Sequence, residues 1–402
     1  MSQAYPNILS AVLGRQHSFL EEDIAANASK ISDSVKDARI LVIGAAGSIG
    51  GAFVRELADY HPAGLHLIDI SENNLAEVVR DLRSSGKRLP DDFATYALDF
   101  GGPEMRALLG QVSYDYVLNF SALKHVRSER DPFTLMRLLD VNVLSNARLI
   151  QSLKETHIPR KIFAVSSDKA VRSANLMGAS KAFMERLFLT HSEEISFGSA
   201  RFANVAFSDG SLLHGFRQRI EKRQPISAPD DVRRYFISHH EAGQLCLLGC
   251  FAGENREIVY PEFRSDKDML TFSEIAKVFL RESGYSPVEC ASEEEALSLA
   301  AQLTDSSREW PCFFSSSNTA GEKMYEEFVD PAEKTESGRF KTMGVITSPI
   351  DHGKDSVDKA LQALKSLRSS GGWSLEQLVD VVAKAVPEMQ HVQASKNLDQ
   401  KM

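Results

Sequence analysis

The chain has 402 residues, of which 43% are hydrophobic and 25% charged, the balance of a folded globular protein. This excludes a mini-protein, a collagen-like repeat and a disordered chain. The 46 Lys and Arg against 55 Asp and Glu leave a net charge of −9, so there is no global positive field to hold nucleic acid or an anionic lipid surface.

Residues 1–36 place Ile8, Leu9, Val12, Leu13, Phe19, Leu20 and Ile24 at mostly helical spacing, which predicts a helical N-terminal arm packed on the body or on another subunit. Glu21, Glu22 and Asp23 stand where a signal peptide would be apolar, and no apolar run reaches the roughly 18 residues that span a bilayer. A cytoplasmic protein without membrane insertion is expected. From Arg39 onward, short apolar runs alternate with amphipathic stretches. Strands are predicted over residues 40–43, 65–68, 94–98, 116–120, 162–165 and 197–202, and helices over 48–60, 72–84, 133–157 and 179–191. Such alternation predicts an α/β architecture, a Rossmann-type doubly wound parallel sheet over residues 37–205. Residues 133–150 carry apolar side chains on more than one helix face, which predicts a homo-oligomer paired through this helix.

The polar segment 208–211 leads into a smaller substrate-binding lobe over residues 206–345, some of whose elements are free to return to the first domain. That lobe is expected to contain a helix over 272–283. Residues 305–341 show no clear periodicity and read as mostly irregular, with Phe313 and Phe314 as core. A helical extension over 346–390 follows, with helices at 356–367 and 374–386; Ser374 and Gln377 form a capping box at the second. Residues 391–402 read as a polar disordered tail. Cys246, Cys250, Cys290 and Cys312 include no Cys-x-x-Cys pair and read as buried free thiols, with no metal site expected.

Gly44-Ala45-Ala46-Gly47-Ser48-Ile49-Gly50 follows an apolar strand and opens a helix, the setting a dinucleotide-binding turn requires. The first Gly permits the tight turn, the second lets backbone N–H groups approach a pyrophosphate, and the third lets helix and strand pack closely. Asp69 lies 19 residues beyond Gly50, where a carboxylate accepts from a ribose and repels a 2′-phosphate, and no Arg or Lys follows within 70–75. NAD is therefore the expected cofactor. The Gly spacing resembles the short-chain dehydrogenase/reductase superfamily, particularly its extended branch. That resemblance implies that Asp99 touches the adenine, that Asn119 and Ser121 line the cofactor, and that Asn142 braces the active site.

Val165-Ser166-Ser167-Asp168-Lys169-Ala170 and Asn175-Leu176-Met177-Gly178-Ala179-Ser180-Lys181 resemble the superfamily's Ser…Tyr-x-x-x-Lys site. Ser167 and Lys181 fill the Ser and Lys positions, and Met177 stands where Tyr is expected. Together with Ser121-Ala122-Leu123-Lys124-His125-Val126, Arg201-Phe202-Ala203-Asn204-Val205, Gly210-Ser211, Arg233-Arg234-Tyr235-Phe236 and Gly321-Glu322-Lys323-Met324-Tyr325-Glu326-Glu327-Phe328, these segments resemble the polysaccharide biosynthesis family of nucleotide-sugar 4,6-dehydratases.

The resemblance implies a UDP-N-acetylglucosamine substrate, with the guanosine counterpart as the alternative, and a 4-keto-6-deoxy product. Following the family, Lys169 is the C5 base and Asp168 the C6 acid; burial and the nearby cations, Lys181 and the nicotinamide, are expected to lower the Lys169 pKa. Lys124, His125, Asn204, Ser211 and Arg234 are the candidate substrate ligands, and Arg201 reads as a structural ion-pair partner. A 4-epimerase shares the fold and the first hydride transfer but needs neither C5 base nor C6 acid; a non-catalytic NAD-binding regulator is the third reading, prompted by Met177.

Overall fold

A computed structural model describes residues 5–263, 269–317 and 326–390. Six strands arise in chain order with helices between them: β1 (Arg39–Ile43), β2 (Gly64–Asp69), β3 (Asp92–Ala97), β4 (Tyr116–Asn119), β5 (Lys161–Val165) and β6 (Phe197–Ala200). They lie in the order β3-β2-β1-β4-β5-β6, each parallel to its neighbours. Residues 40–43 of β1 are buried on both faces, as a strand covered by helices on each side must be. The register sets Ile43 beside both Ile68 and Asn119, so the carboxyl ends of β1, β2 and β4 are level. The strand order reverses between β1 and β4, and the crevice above that reversal is where open α/β sheets bind ligands.

Three later strands extend the same sheet beyond β6. Glu257–Pro261 adds in parallel, and Met343–Ser348 and Lys334–Glu336 add antiparallel at the edge. The smaller lobe carries a three-stranded parallel sheet of Ser286–Glu289, Glu309–Ser315 and Ile226–Pro229. The strand Glu309–Ser315 corrects the irregular reading of this stretch: its run of Trp310, Cys312, Phe313 and Phe314 is held between two neighbours that come from distant sequence. Trp310 is buried, donates its indole N–H to the Gln224 carbonyl at 2.9 Å, and packs against Tyr285.

The helix expected over 133–157 is three pieces. Pro132–Leu139 begins under the Asp131 cap, a π-helical turn spans Asp140–Leu144, and Ser145–Glu155 completes it. Leu176–Leu189 starts earlier than expected because the Asn175 side chain accepts from Gly178 N and caps it.

The helices nearest both ends of the described residues fold back on the body. Helix Tyr5–Leu13 buries Ile8 and Val12 in the smaller lobe's core beside Phe216 and Phe279, while Glu21–Val35 buries Ile31 and Val35 in the first domain. Asp23 fastens the arm by accepting from the backbone N–H of Lys341 (2.7 Å) and Thr342 (3.0 Å).

Helices Lys354–Ser370 and Leu375–Ala385 bury Leu361, Leu364, Leu378 and Val382 in one core with Leu135, Leu139, Phe183 and Leu187. Arg368 reaches Asp140 at 3.0 Å, the Trp373 indole donates to the Pro132 carbonyl at 2.8 Å, and Arg186 holds the Ala385 carbonyl and Glu388. One apolar face of the 133–150 segment is thereby covered by the chain's own extension, while Phe133 on the same segment stays exposed. The expected tail, 391–402, lies outside the described residues, among which no helix is long and apolar enough to cross a membrane.

Candidate active site

The turn after β1 is built by steric necessity. Gly44 has a φ of +71°, and a Cβ on it would lie 2.6 Å from Ser121 N. A Cβ on Gly50 would lie 2.1 Å from the Gly44 carbonyl oxygen, so the helix Ser48–Ala58 approaches the turn as only Gly permits. Gly47 is the N-cap of that helix, leaving its first N–H groups at the crevice. Asp69 accepts from Ala46 N and Ser71 N, both at 3.0 Å, which ties the end of β2 to the Gly turn.

Gly44, Gly47, Asp69, Asp99, Ser121 and Arg137 are among the residues that line a cavity of about 230 Å³ at this end of the crevice. Asp99 also accepts from Gly101 N at 2.9 Å and faces the Arg137 guanidinium at 3.5 Å. Asn119 is a correction. It is buried, its amide donates to Asn146 at 2.7 Å and its oxygen accepts from Ser121 N at 2.9 Å, so it shapes the wall from behind instead of lining the cavity. Asn142, in the π-helical turn, holds the Leu123 backbone at both N and O and donates to Ser180.

A second cavity, about 420 Å³, continues along the crevice and brings together residues from five segments of the chain: Ser48, Ile49 and Gly50; Lys124 and His125; Ser166 through Lys169; Met177 and Lys181; Asn204 and Ser211. Ser167 Oγ donates to Asp168 Oδ1 at 2.8 Å, and Lys169 Nζ reaches the same oxygen at 3.3 Å. The Met177 side chain is 3% exposed on the cavity wall, with its backbone N–H donating to Glu129 Oε1 at 2.9 Å. Burial pushes the half-buried Glu129 carboxyl above its ordinary range despite the backbone bonds it accepts.

Lys181, 4% exposed, donates to the Val165 carbonyl at 3.0 Å, and burial pushes its pKa down to about 8. The expected fall in the Lys169 pKa is corrected. Burial does work in that direction, but the carboxylates of Asp168 and Glu326 outweigh it and hold the ammonium above its ordinary value.

Among the substrate candidates, Lys124 and His125 stand on the exposed rim, with the His125 ring against Gly210. The Ser211 hydroxyl caps helix Leu212–Glu221 by accepting from His214 N. Arg234 is buried beside Lys169 and Glu326 and donates to the Arg233 carbonyl at 2.8 Å. Asn204 donates to Glu326 Oε1 at 2.6 Å. Arg201 forms a closed network with Glu185 and Glu333, all three side chains at most 6% exposed.

Neither Glu326 nor Glu129 stands in a sequence pattern that marks it for the site. The only signal for Glu326 was its place in the 321–328 segment; nothing local marks it out from Glu322 or Glu327.

A Rossmann sheet with this Gly turn, and with Ser167 and Lys181 converging on the crevice beside it, has the fold of the extended short-chain dehydrogenase/reductase superfamily. The chain belongs to the polysaccharide biosynthesis protein family, which matches residues 40–348. It is 30% identical to the uncharacterized membrane protein MJ1061 of Methanocaldococcus jannaschii, over 64% of this chain and 76% of that one. It is 27% identical to a UDP-N-acetylglucosamine 4,6-dehydratase (inverting) of Campylobacter jejuni, over 57% and 68%. The chain spans about half, 48%, of the probable polysaccharide biosynthesis protein EpsC of Bacillus subtilis, at 26% identity over 77% of its own length. Among solved structures it resembles Pen from Bacillus thuringiensis, with a TM-score of 0.63 and 20% identity over 88% of this chain and 98% of that one. It also resembles a Bacillus cereus UDP-glucuronic acid 4-epimerase mutant solved with NAD, with a TM-score of 0.52 and 15% identity over 72% and 89%.

Proposed function

We propose that this chain catalyses the NAD-dependent 4,6-dehydration of a nucleotide-diphospho-N-acetylhexosamine, UDP-N-acetylglucosamine foremost, to a 4-keto-6-deoxy sugar. The observation that carries this reading is the adjacent acid and amine, Asp168 and Lys169, on the turn after β5 and in one cavity with Ser167, Met177 and Lys181. The crevice fits the cofactor: the Gly44–Gly50 turn leaves backbone N–H groups open, Asp69 ends β2 beside that turn where it would accept from a ribose, and the buried Ser166 Oγ on the cavity wall has no hydrogen-bond partner among the described residues. When bound, NAD supplies a hydride acceptor for sugar C4 and a hydride donor for C6.

The chain's residues handle the protons. Met177 has no ionisable group, so the C4 hydroxyl proton goes to Asp168, whose Oδ1 already accepts from Ser167. Asp168 then returns a proton to the departing C6 hydroxyl, which leaves as water, and is ready for another cycle. Lys169, once it has released its ammonium proton, takes the C5 proton made acidic by the C4 ketone and gives it back after elimination. Lys181, charged below about pH 8, favours removal of a proton from groups beside it.

Incubating the protein with UDP- and GDP-N-acetylglucosamine deuterated at C4 tests the reading. The expected product is lighter by one water and carries the label on C6, with no cofactor consumed. A product changed only in configuration at C4 would replace the dehydratase by a 4-epimerase.

A further inference from the structure

Lys169 is the one group in the proposed chemistry whose charge in the resting protein is wrong for its task, since a base must arrive without its proton. The structure shows what surrounds it. Asp168 lies on its own turn; Arg234 comes from the strand Arg233–Arg234, Lys124 from the loop after β4, and Glu326 from the segment leading to Arg201's partner Glu333. Glu326 is fastened at both oxygens: Oε1 accepts from the Asn204 amide at 2.6 Å, and Oε2 accepts from the Tyr235 backbone N–H at 2.7 Å. Those two donors belong to paired strands, Asn204–Val205 and Phe236–Ile237 with its preceding residue, so the carboxyl sits where the smaller lobe joins the sheet.

We propose that Glu326 is a positioning residue that sets the charge of Lys169: as a carboxylate it holds Lys169 as the ammonium, and on taking up a proton it lets Lys169 become the amine that removes the C5 proton. Glu326 gains one proton as Lys169 releases one, and the total in the site is unchanged. Glu326 is suited to this because burial first, and Asp168 second, push its carboxyl up to about 8, while Lys169, Arg234 and the Tyr235 N–H oppose the rise. A carboxyl of ordinary affinity would stay ionised throughout the neutral range and keep Lys169 out of action. The role of Lys169 as C5 base rests on the proposed dehydratase reading; the influence of Glu326 on its charge does not.

The Lys169 side chain is 32% exposed, so its titration is measurable without substrate. The full-length protein is labelled briefly with a trace amine-reactive anhydride across pH 6 to 11, and the Lys169 peptide is quantified by mass spectrometry. Glu326→Gln is expected to lower the labelling midpoint by about one pH unit, the low end of what loss of one nearby opposite charge does. Glu326→Asp, which keeps the charge, is expected to leave the midpoint near its original value. Glu326→Ser provides a second neutral side chain, with room for water on Asn204 and Tyr235, should the Gln variant not fold.

In parallel, deuterium wash-in at C5 of the 4-keto-6-deoxy nucleotide sugar is followed against pH in the cofactor-loaded enzyme. Its rise is expected to move to lower pH with the labelling midpoint. Midpoints unchanged in the neutral variants overturn the proposal. A wild-type enzyme with no C5 wash-in, but with a labelling midpoint that shifts in the variants, refutes the dehydratase reading and leaves the Glu326–Lys169 linkage standing.

Discussion

Arg201 is a buried cation between two buried carboxylates, and its removal has a calculable consequence. Its Nε and Nη2 donate to the two oxygens of Glu185 at 3.0 and 2.8 Å, and Nη1 and Nη2 donate to those of Glu333 at 2.6 and 2.8 Å. Nη1 also holds the Phe328 carbonyl at 2.9 Å. Arg201→Met keeps the volume of the aliphatic stem but leaves two buried carboxylates without their cation. Breaking such a buried pair by removing one partner costs roughly 3–5 kcal/mol. Because Glu185 stands on the helix that carries Met177 and Lys181, and Phe328 lies two residues beyond Glu326, the loss falls on the active site as well as on global stability. The triple change Arg201→Met, Glu185→Leu and Glu333→Leu removes every charge of the network and is expected to recover most of that loss. Equilibrium urea unfolding at pH 7.5 gives the comparison. At pH 5 the deficit of the single variant should shrink, since stripped carboxylates take up protons on folding and a folded state that binds more protons gains stability as pH falls. A single variant within about 1 kcal/mol of wild type at pH 7.5, the range of a surface pair, refutes the reasoning.

Lys181 has a folded-state pKa below its unfolded value, so the unfolded chain binds more protons between about pH 8 and 10; stability relative to Lys181→Met should rise with pH across that window, as read by urea unfolding at each pH. Met177→Leu is expected to keep much of the activity because the side chain only packs, whereas Lys169→Ala and Asp168→Asn should each lose roughly a hundredfold or more in steady-state turnover. Leu364→Asp puts a charge into the core shared by the C-terminal helices and the 132–155 segment; sedimentation should then show self-association or aggregation that the intact chain does not make through this face. Gly50→Ala should abolish cofactor binding in a titration followed by calorimetry, because its Cβ meets the backbone oxygen of Gly44, which has no room to yield.

Much of the cofactor end of the site was legible in local sequence. An apolar run, three glycines at fixed spacing and an acid at the end of the next strand each act over a few residues, and in the structure they meet at one turn. The Ser374–Gln377 capping box is likewise a contact between neighbours in the chain, and it forms as expected. The strand Glu309–Ser315 was not legible, because its two partners lie at residues 226–229 and 286–289 and a strand between two others need show no alternation. The covered face of the 132–155 segment was equally hidden: an apolar helix surface states that something must bury it, and whether a second copy or residues 354–385 do so is decided by how the chain returns.

The charge of Lys169 lies furthest from the sequence. Its neighbour Asp168 was visible from the start, but the affinity of a buried amine for its proton is a sum over every charge that folding brings near. Glu326 enters that sum from 157 residues away in the chain. Residue types and spacing determined by themselves which groups are available for chemistry; tertiary structure alone decided their protonation, because local contacts follow chain order and electrostatic fields do not.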